Sequence, residues 1–197
     1  MRIGEIKRKT KETEIIIKVN LDGVGKFSSK VNEDGGGVKF LFHMLENFSK
    51  HSLIDLNIDI KGDLPHHIIE DLGIVLAEAL NKALGDKKGI KRFGWALIPM
   101  DEALAQVVID LGGRPYTKLD LGLKLDVIEF LPVSLLNHFL ETFTTNFKIN
   151  LHAAVLYGED DHHKVEVFFK ALAIAMKDAI SFDERKKDQI PSTKGTI

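Results

Sequence analysis

The chain has 197 residues, 44% of them hydrophobic and 28% charged, enough apolar content for a buried core in one domain or two small ones. A formal net charge of −2 gives no electrostatic case for nucleic acid as the main partner, though it leaves room for a local basic pocket around an anionic substrate. The absence of cysteine excludes disulfides, thiolate metal sites and cysteine nucleophiles, and it fits a reducing cytosol.

The N-terminal stretch MRIGEIKRKTKETEIIIKVNLDG carries basic residues but no sustained apolar segment, and reads as a strand rather than a signal peptide. No apolar run approaches the roughly 18 to 20 residues that span a bilayer. The expectation is a cytoplasmic protein with neither membrane nor nucleic-acid partners. Thr13–Leu21 is rich in β-branched residues and predicts a strand, followed by turn signals at Gly23, Gly25 and 35–37. Val38–Phe48 places Leu41, Leu45 and Phe48 on one helical face. Leu53–Ile60 alternates as a half-buried strand does, and His66–Leu84 reads as a long helix between Pro65 and Gly85.

The second half repeats this order. Strands are predicted at Lys91–Pro99, Ala103–Leu111 and Thr117–Leu125, a helix from Pro132 to Phe147, a strand at Lys148–Tyr157 and a last helix from about Asp161. FHMLENF at 42–48 matches NHFLETF at 137–143, an offset of 95 residues, and HHIIED at 66–71 matches HHKVEV at 162–167, an offset of 96. Two similar segments in one order at nearly one offset indicate duplication. The expectation is an α+β fold of two repeats, 1–89 and 90–197, with helices on one face of mixed sheets. The polar tail DERKKDQIPSTKGTI has weak periodicity and would otherwise be read as a frayed terminus.

The histidines carry the chemistry. A lone HH pair is most often a surface feature of a helix start. Two HHxxE motifs at duplicated positions argue instead for metal ligands. Residues three and four apart share a helical face, so Glu70 lies beside His66 and His67, and Glu166 beside His162 and His163. Adjacent histidines diverge by about 100° around a helix, so one ion does not easily take both. The economical arrangement is two metals, each drawing on both repeats and each leaving open positions for substrate or water. His43 and His152 complete the candidate ligands; His138, the repeat partner of His43, reads as a vestige or a packed core residue. Imidazole and carboxylate suit Mn, Fe, Zn, Co or Ni, and expanded coordination points towards Mn(II). Arg92 in IKRFG, Arg114 in GGRPY, and Ser192 and Lys194 in PSTKG are candidate anion-binding groups, although each alone is more commonly a solvated surface residue. PSTKG lacks the glycine order of a nucleotide-binding loop. Residue types and spacing reach a di-metal, histidine-rich site with phosphate clamps and do not name a reaction.

Together the segments RKTKETEI, NLDGVG, FLFHML, GDLPHHIIED, KRFG, IPMDEALAQVVIDLGGRPY, INLH, HHKVEVFFKALAIAM and IPSTKG resemble the imidazoleglycerol-phosphate dehydratase family, in the family's order and over nearly the whole chain. The resemblance implies a duplicated fold similar to the second domain of ribosomal protein S5, and two Mn(II) ions per active site. It also implies sites formed between subunits of a 24-subunit shell. The implied ligands are His43, His66, His67, Glu70, His152, His162, His163 and Glu166; Glu12, His43, Glu70 and Glu166 would act in catalysis, with Glu12 as acid/base. His51 and Glu102 would lie at the substrate, with Arg92, Arg114, Ser192 and Lys194 on its phosphate. The implied reaction converts D-erythro-imidazole-glycerol phosphate to imidazole-acetol phosphate in histidine biosynthesis. The proton removed is not next to a carbonyl, so the imidazole acts as electron reservoir while hydroxide leaves.

Four departures stand out: Phe42 where the family usually has an acidic residue, Asn47 for a usual Gln, Ile68 for a usual Thr, and a shortened GDLPHH segment with Pro65 directly ahead of His66. Loss of an aspartate that orients a ligating imidazole predicts metal binding or activity weakened by about 10- to 100-fold. The alternative these departures motivate is a metal-binding paralogue of the same fold without the activity.

Overall fold

The computed structural model describes residues 1–32 and 35–197. Its element order is β1 (Ile3–Lys9), β2 (Thr13–Asn20), β3 (Phe27–Val31), α1 (Gly36–Ser52), β4 (Asp55–Gly62) and α2 (Pro65–Leu84). The second half follows with β5 (Phe93–Met100), β6 (Ala103–Asp110), β7 (Tyr116–Asp120), a short hairpin of β8 (Val127–Ile128) and β9 (Leu131–Pro132), α3 (Val133–Phe147), β10 (Asn150–Tyr157) and α4 (Asp161–Ile180). Two four-stranded sheets result, ordered β1-β2-β4-β3 and β5-β6-β10-β7. In each, only the last pair is parallel, β3 with β4 and β7 with β10. Both orders place equivalent strands in equivalent positions.

Alternation explains the sheets. Ile15, Ile17 and Val19 of β2, and Leu56, Ile58 and Ile60 of β4, turn one face inward and are fully or almost fully buried. Burying each such side chain contributes about 1.5–3 kcal/mol. α2 lies on β1 and β2, and α4 lies on β5 and β6. The approach is close enough to require glycine: a Cβ on Gly4 would stand 2.0 Å from the Ala79 carbonyl oxygen, and one on Gly94 would stand 1.9 Å from that of Ala175. These two glycines occupy matching positions in β1 and β5, so one helix-on-strand contact occurs twice.

The helices meet across the middle, α1 on α4 and α2 on α3. The layers are therefore sheet, helices, helices, sheet, and the centre is lined by Leu45, Phe48, Leu76, Phe139, Phe143 and Leu172. This cross-pairing decides the site, because each helix of the first half lies against one of the second. α4 begins with a capped turn, the Asp160 carboxylate accepting the His162 amide at 2.7 Å. α2 instead begins with Pro65, whose missing N–H costs nothing in a first turn.

Two expectations shift. The predicted strand at Thr117–Leu125 stops at Asp120, because its parallel pairing with β10 ends there and the Asp161 carboxylate captures the Lys124 and Leu125 amides. β3, Phe27–Val31, has no counterpart in the sequence reading, since this edge strand exposes three consecutive residues and so lacks alternation. Among the described residues no helix is long and apolar enough to cross a membrane.

Candidate metal centre

The cross-pairing of helices brings histidines from the two halves together. His43 of α1 joins His162 and Glu166 of α4, and His138 of α3 joins His66 and Glu70 of α2. In each group the ligand atoms lie within 4.8 Å of one another. His162 Nε2 is 3.4 Å and His43 Nε2 3.8 Å from Glu166 Oε2. In the second group, His66 Nε2 and His138 Nε2 stand 3.7 and 3.6 Å from the two Glu70 oxygens, and the two rings stack at 5.5 Å.

His138 supplies the test of fit. Its Nε2 is buried and has no hydrogen-bond partner among the described residues. A buried imidazole nitrogen aimed at a carboxylate and left without a partner is costly; a cation between them would satisfy both. Two imidazoles and one carboxylate form a borderline-hard set that suits first-row divalent metals. The sequence reading set His138 aside, because only the contact of α3 with α2 shows that it overlies the first turn of α2.

The other candidate ligands face elsewhere within the chain. His67 Nδ1 is 2.7 Å from Asp63 Oδ1, and its Nε2 is 3.9 Å from Glu12 Oε1. The Asp63 carboxylate holds the His67 pKa above its ordinary value. The shortened GDLPHH segment thus still places a carboxylate on an imidazole, from Asp63 in the bend just ahead of α2. His163 Nδ1 lies 2.8 Å from Glu102 Oε2 and is likewise raised. Glu102 Oε1 accepts the amides of Asp160 and Glu159 at 2.9 and 3.1 Å. The Asp160 amide first, then His163, pull the Glu102 pKa down to about 2. His152, on the outer face of the second sheet, packs its ring 5.4 Å from Tyr116 and joins neither group.

Further groups surround the α4 cluster. Lys170 Nζ bonds Glu166 Oε1 at 2.8 Å; burial works against ionisation of Glu166, and Lys170 with the nearby histidines outweighs it, holding the pKa low. His51, two turns along α1 from His43, is kept below its ordinary pKa by burial and by Lys170. Glu129 reaches His162 Nδ1 at 3.3 Å from the two-residue β8–β9 turn, where it and Phe130 both adopt left-handed backbone, φ 46° and 65°. Asp63, Lys170 and Glu129 were absent from the sequence reading; the spacing Asp63–His67 and the match of Lys170 to Glu166 at four residues were the available signals.

The anion-binding candidates gather at the far end of the second sheet. The Arg92 guanidinium donates to both Asp110 oxygens, at 2.6 and 3.0 Å, and to the Pro191 carbonyl at 2.8 Å. The tail continues past Ser192 and Lys194, whose amide donates to Ser192 Oγ at 3.2 Å, to reach the Gly113 backbone at Ile197. Arg114 is exposed beside that glycine, its carbonyl accepting the Asn150 side-chain amide.

Fold and site define a duplicated α+β chain with paired histidine–glutamate centres, each built from both halves. The sequence profile of imidazoleglycerol-phosphate dehydratase matches residues 36–176. The enzyme of that name from Dehalococcoides mccartyi strain CBDB1 is 45% identical, with 100% of this chain and 97% of that protein covered. That from Clostridium botulinum strain Langeland is 47% identical, with 99% and 98% covered. Among solved structures, the imidazoleglycerol-phosphate dehydratase of Staphylococcus aureus superposes with a TM-score of 0.79 at 34% identity, over 92% of this chain and 99% of that one. That of Pyrococcus furiosus, in complex with (S)-C348, does so with a TM-score of 0.80 at 36% identity, over 98% and 100%. The chain belongs to the imidazoleglycerol-phosphate dehydratase family, a family of hydro-lyase enzymes.

Proposed function

We propose that this chain dehydrates D-erythro-imidazole-glycerol phosphate to imidazole-acetol phosphate, a step of L-histidine biosynthesis, in the cytoplasm and with two Mn(II) ions per active site. The observation that carries the reading is the pair of histidine–glutamate groups, each drawn from both halves, in a chain whose full length aligns with dehydratases. His43, His162 and Glu166 would hold one ion, and His66, Glu70 and His138 the other. The halves 1–89 and 90–197 would be the two copies of the duplicated unit.

Three protein ligands leave each ion incomplete, and His67, His152 and His163 are then free to serve the ions of a neighbouring copy. A distance within the chain supports this assembly. Arg92 bonds through its amide to Ala179 near the end of α4, whereas His162 and His163 open that helix. At about 1.5 Å per residue the separation is about 24 Å, far longer than a small phosphorylated imidazole. Phosphate held by Arg92, Arg114, Ser192 and Lys194 and an imidazole ring at the metals therefore need two copies, as a large homo-oligomer such as a 24-subunit shell provides.

A bound divalent cation supplies Lewis acidity for loss of hydroxide. Glu12, on the exposed β1–β2 turn beside His67, would move the proton at the substrate carbon. His51 and Glu102 would line the substrate, and Arg and Lys would fix the phosphate, so that its charge orients the ring. Purified protein reconstituted with Mn(II) should convert imidazole-glycerol phosphate to imidazole-acetol phosphate, and a chelated control should not. Bound metal without turnover in an intact assembly would refute the assignment.

A further inference from the structure

The two long hairpins carry equivalent glutamates that are held in different ways. Glu12 directly precedes β2 and Glu102 directly precedes β6, and each faces the second histidine of an HH pair. Glu102 is fixed by its own carboxylate, which binds His163 and two backbone amides. Among the described residues no hydrogen bond holds the Glu12 carboxylate, which approaches His67 Nε2 at 3.9 Å, so its direction depends mainly on the backbone of its turn.

That turn is tied down from below. Thr10 Oγ1 accepts the amides of Glu12 and Thr13 at 3.1 and 2.9 Å. The Thr13 hydroxyl, almost fully buried, donates to Asp71 Oδ2, and Arg8 Nε donates to Asp71 Oδ1 at 3.1 Å. Asp71 belongs to α2, one residue after Glu70 and one turn after His67, with 8% of its surface exposed. The matching positions of the second half hold Ala103 and Val167, both buried and apolar, so neither has a side-chain polar group to satisfy. Burying a carboxylate costs stability unless every partner is present. The polar arrangement therefore occurs only where the glutamate has no anchor of its own.

We propose that Asp71 is a positioning residue: through Thr13 and Arg8 it fixes the β1–β2 turn so that the unanchored Glu12 carboxylate stays over His67. The proposal rests on the assignment of Glu12 as proton-transfer group. Asp71 belongs to neither histidine–glutamate group, and it acts on the rate through Glu12 alone.

The test uses the assembled, Mn-reconstituted enzyme. Asp71→Val, which copies residue 167, should lower kcat by about 10- to 100-fold, the scale on which a misplaced catalytic group is felt. KM and metal stoichiometry should stay within about twofold, as befits a residue outside substrate binding. Amide exchange at Glu12 and Thr13 should accelerate. Combined with Glu12→Gln, the Asp71 change should add no further loss, because its only route to the rate has been removed. Asp71→Asn, which keeps an acceptor for Thr13, should fall between. If Asp71→Val disturbs assembly, Thr13→Val removes only the linking hydroxyl and should give the same kcat-selective loss. Full kcat in either valine variant, or losses that multiply in the double variant, would overturn the positioning role while leaving the dehydratase reading intact. An unchanged kcat in Glu12→Gln alone would instead remove Glu12 from the chemistry, and the proposal with it.

Discussion

Lys164 stands inside the second HHxxE motif, and replacing it by methionine isolates one buried charge pair. Its ammonium donates to Asp161 Oδ1 and to the Gly122 carbonyl, both at 2.8 Å. The other Asp161 oxygen accepts the Lys124 and Leu125 amides at 2.6 and 2.8 Å. The two side chains are 3% and 2% exposed. Methionine retains the apolar stem but strands the carboxylate, a loss of about 3–5 kcal/mol for a broken buried pair. The two amides still serve Asp161, which places the loss near the lower bound, about 3 kcal/mol. For a chain of this size each kcal/mol moves the melting temperature by about 2–4 °C, so Lys164→Met should melt about 6–12 °C lower. The assay is circular dichroism melting of metal-free protein at fixed concentration, since association shifts Tm. A fall of less than roughly 2 °C would refute the reasoning that Asp161 depends on its cation. The functional corollary is that the 121–125 loop, which this pair and the Lys124 and Leu125 amides help to hold, loosens ahead of α4.

His138→Ala and His66→Ala should each remove one metal equivalent per chain by elemental analysis while the His43 group keeps its own; full stoichiometry in both would sink the second centre. Arg114→Ala should raise KM by about 10- to 100-fold with little change in kcat, matching about 1.5–3 kcal/mol for hydrogen bonds to a charged phosphate; an unchanged KM would move the phosphate elsewhere. In metal-free protein, Glu102→Gln should remove a pH-dependent share of the stability. Glu102 is lowered from 4.5 to about 2, so its contribution is complete above 4.5 and lost as pH falls towards 2. His163 is raised above 6.5, so its share is complete below 6.5 and fades as pH rises through its folded value. The Tm difference between native and Glu102→Gln proteins should therefore be greatest between 4.5 and 6.5, and a difference independent of pH would exclude the ion pair.

Much of the fold was readable because burial imposes period on sequence. β2 and β4 alternate, and α1, α2, α3 and α4 present apolar faces, so their positions follow from spacing. The strand that escaped, β3, lies at an edge where exposure erases alternation, and β7 was drawn too long because an alternating stretch says nothing about where its partner strand ends. The candidate site divides in the same way. Glu70 and Glu166 were placed beside His66 and His162 by helical spacing alone, and those pairs lie 3.7 and 3.4 Å apart. His138 reads from sequence as a vestige or a core residue, because its approach to Glu70 crosses from one half of the chain to the other.

The sequence by itself determined the duplication pattern, by likeness between segments at one offset, and the element types and residue chemistry of the HHxxE motifs, which depend on neighbours within about four residues along the chain. Only the tertiary structure decided which histidines meet. Local spacing cannot specify that α1 lies on α4 and α2 on α3; the packing of two apolar helical layers does, and it carries His43 to Glu166 and His138 to Glu70. The same holds for Asp71, whose place in an apolar helix has meaning only once α2 lies beneath the turn that bears Glu12.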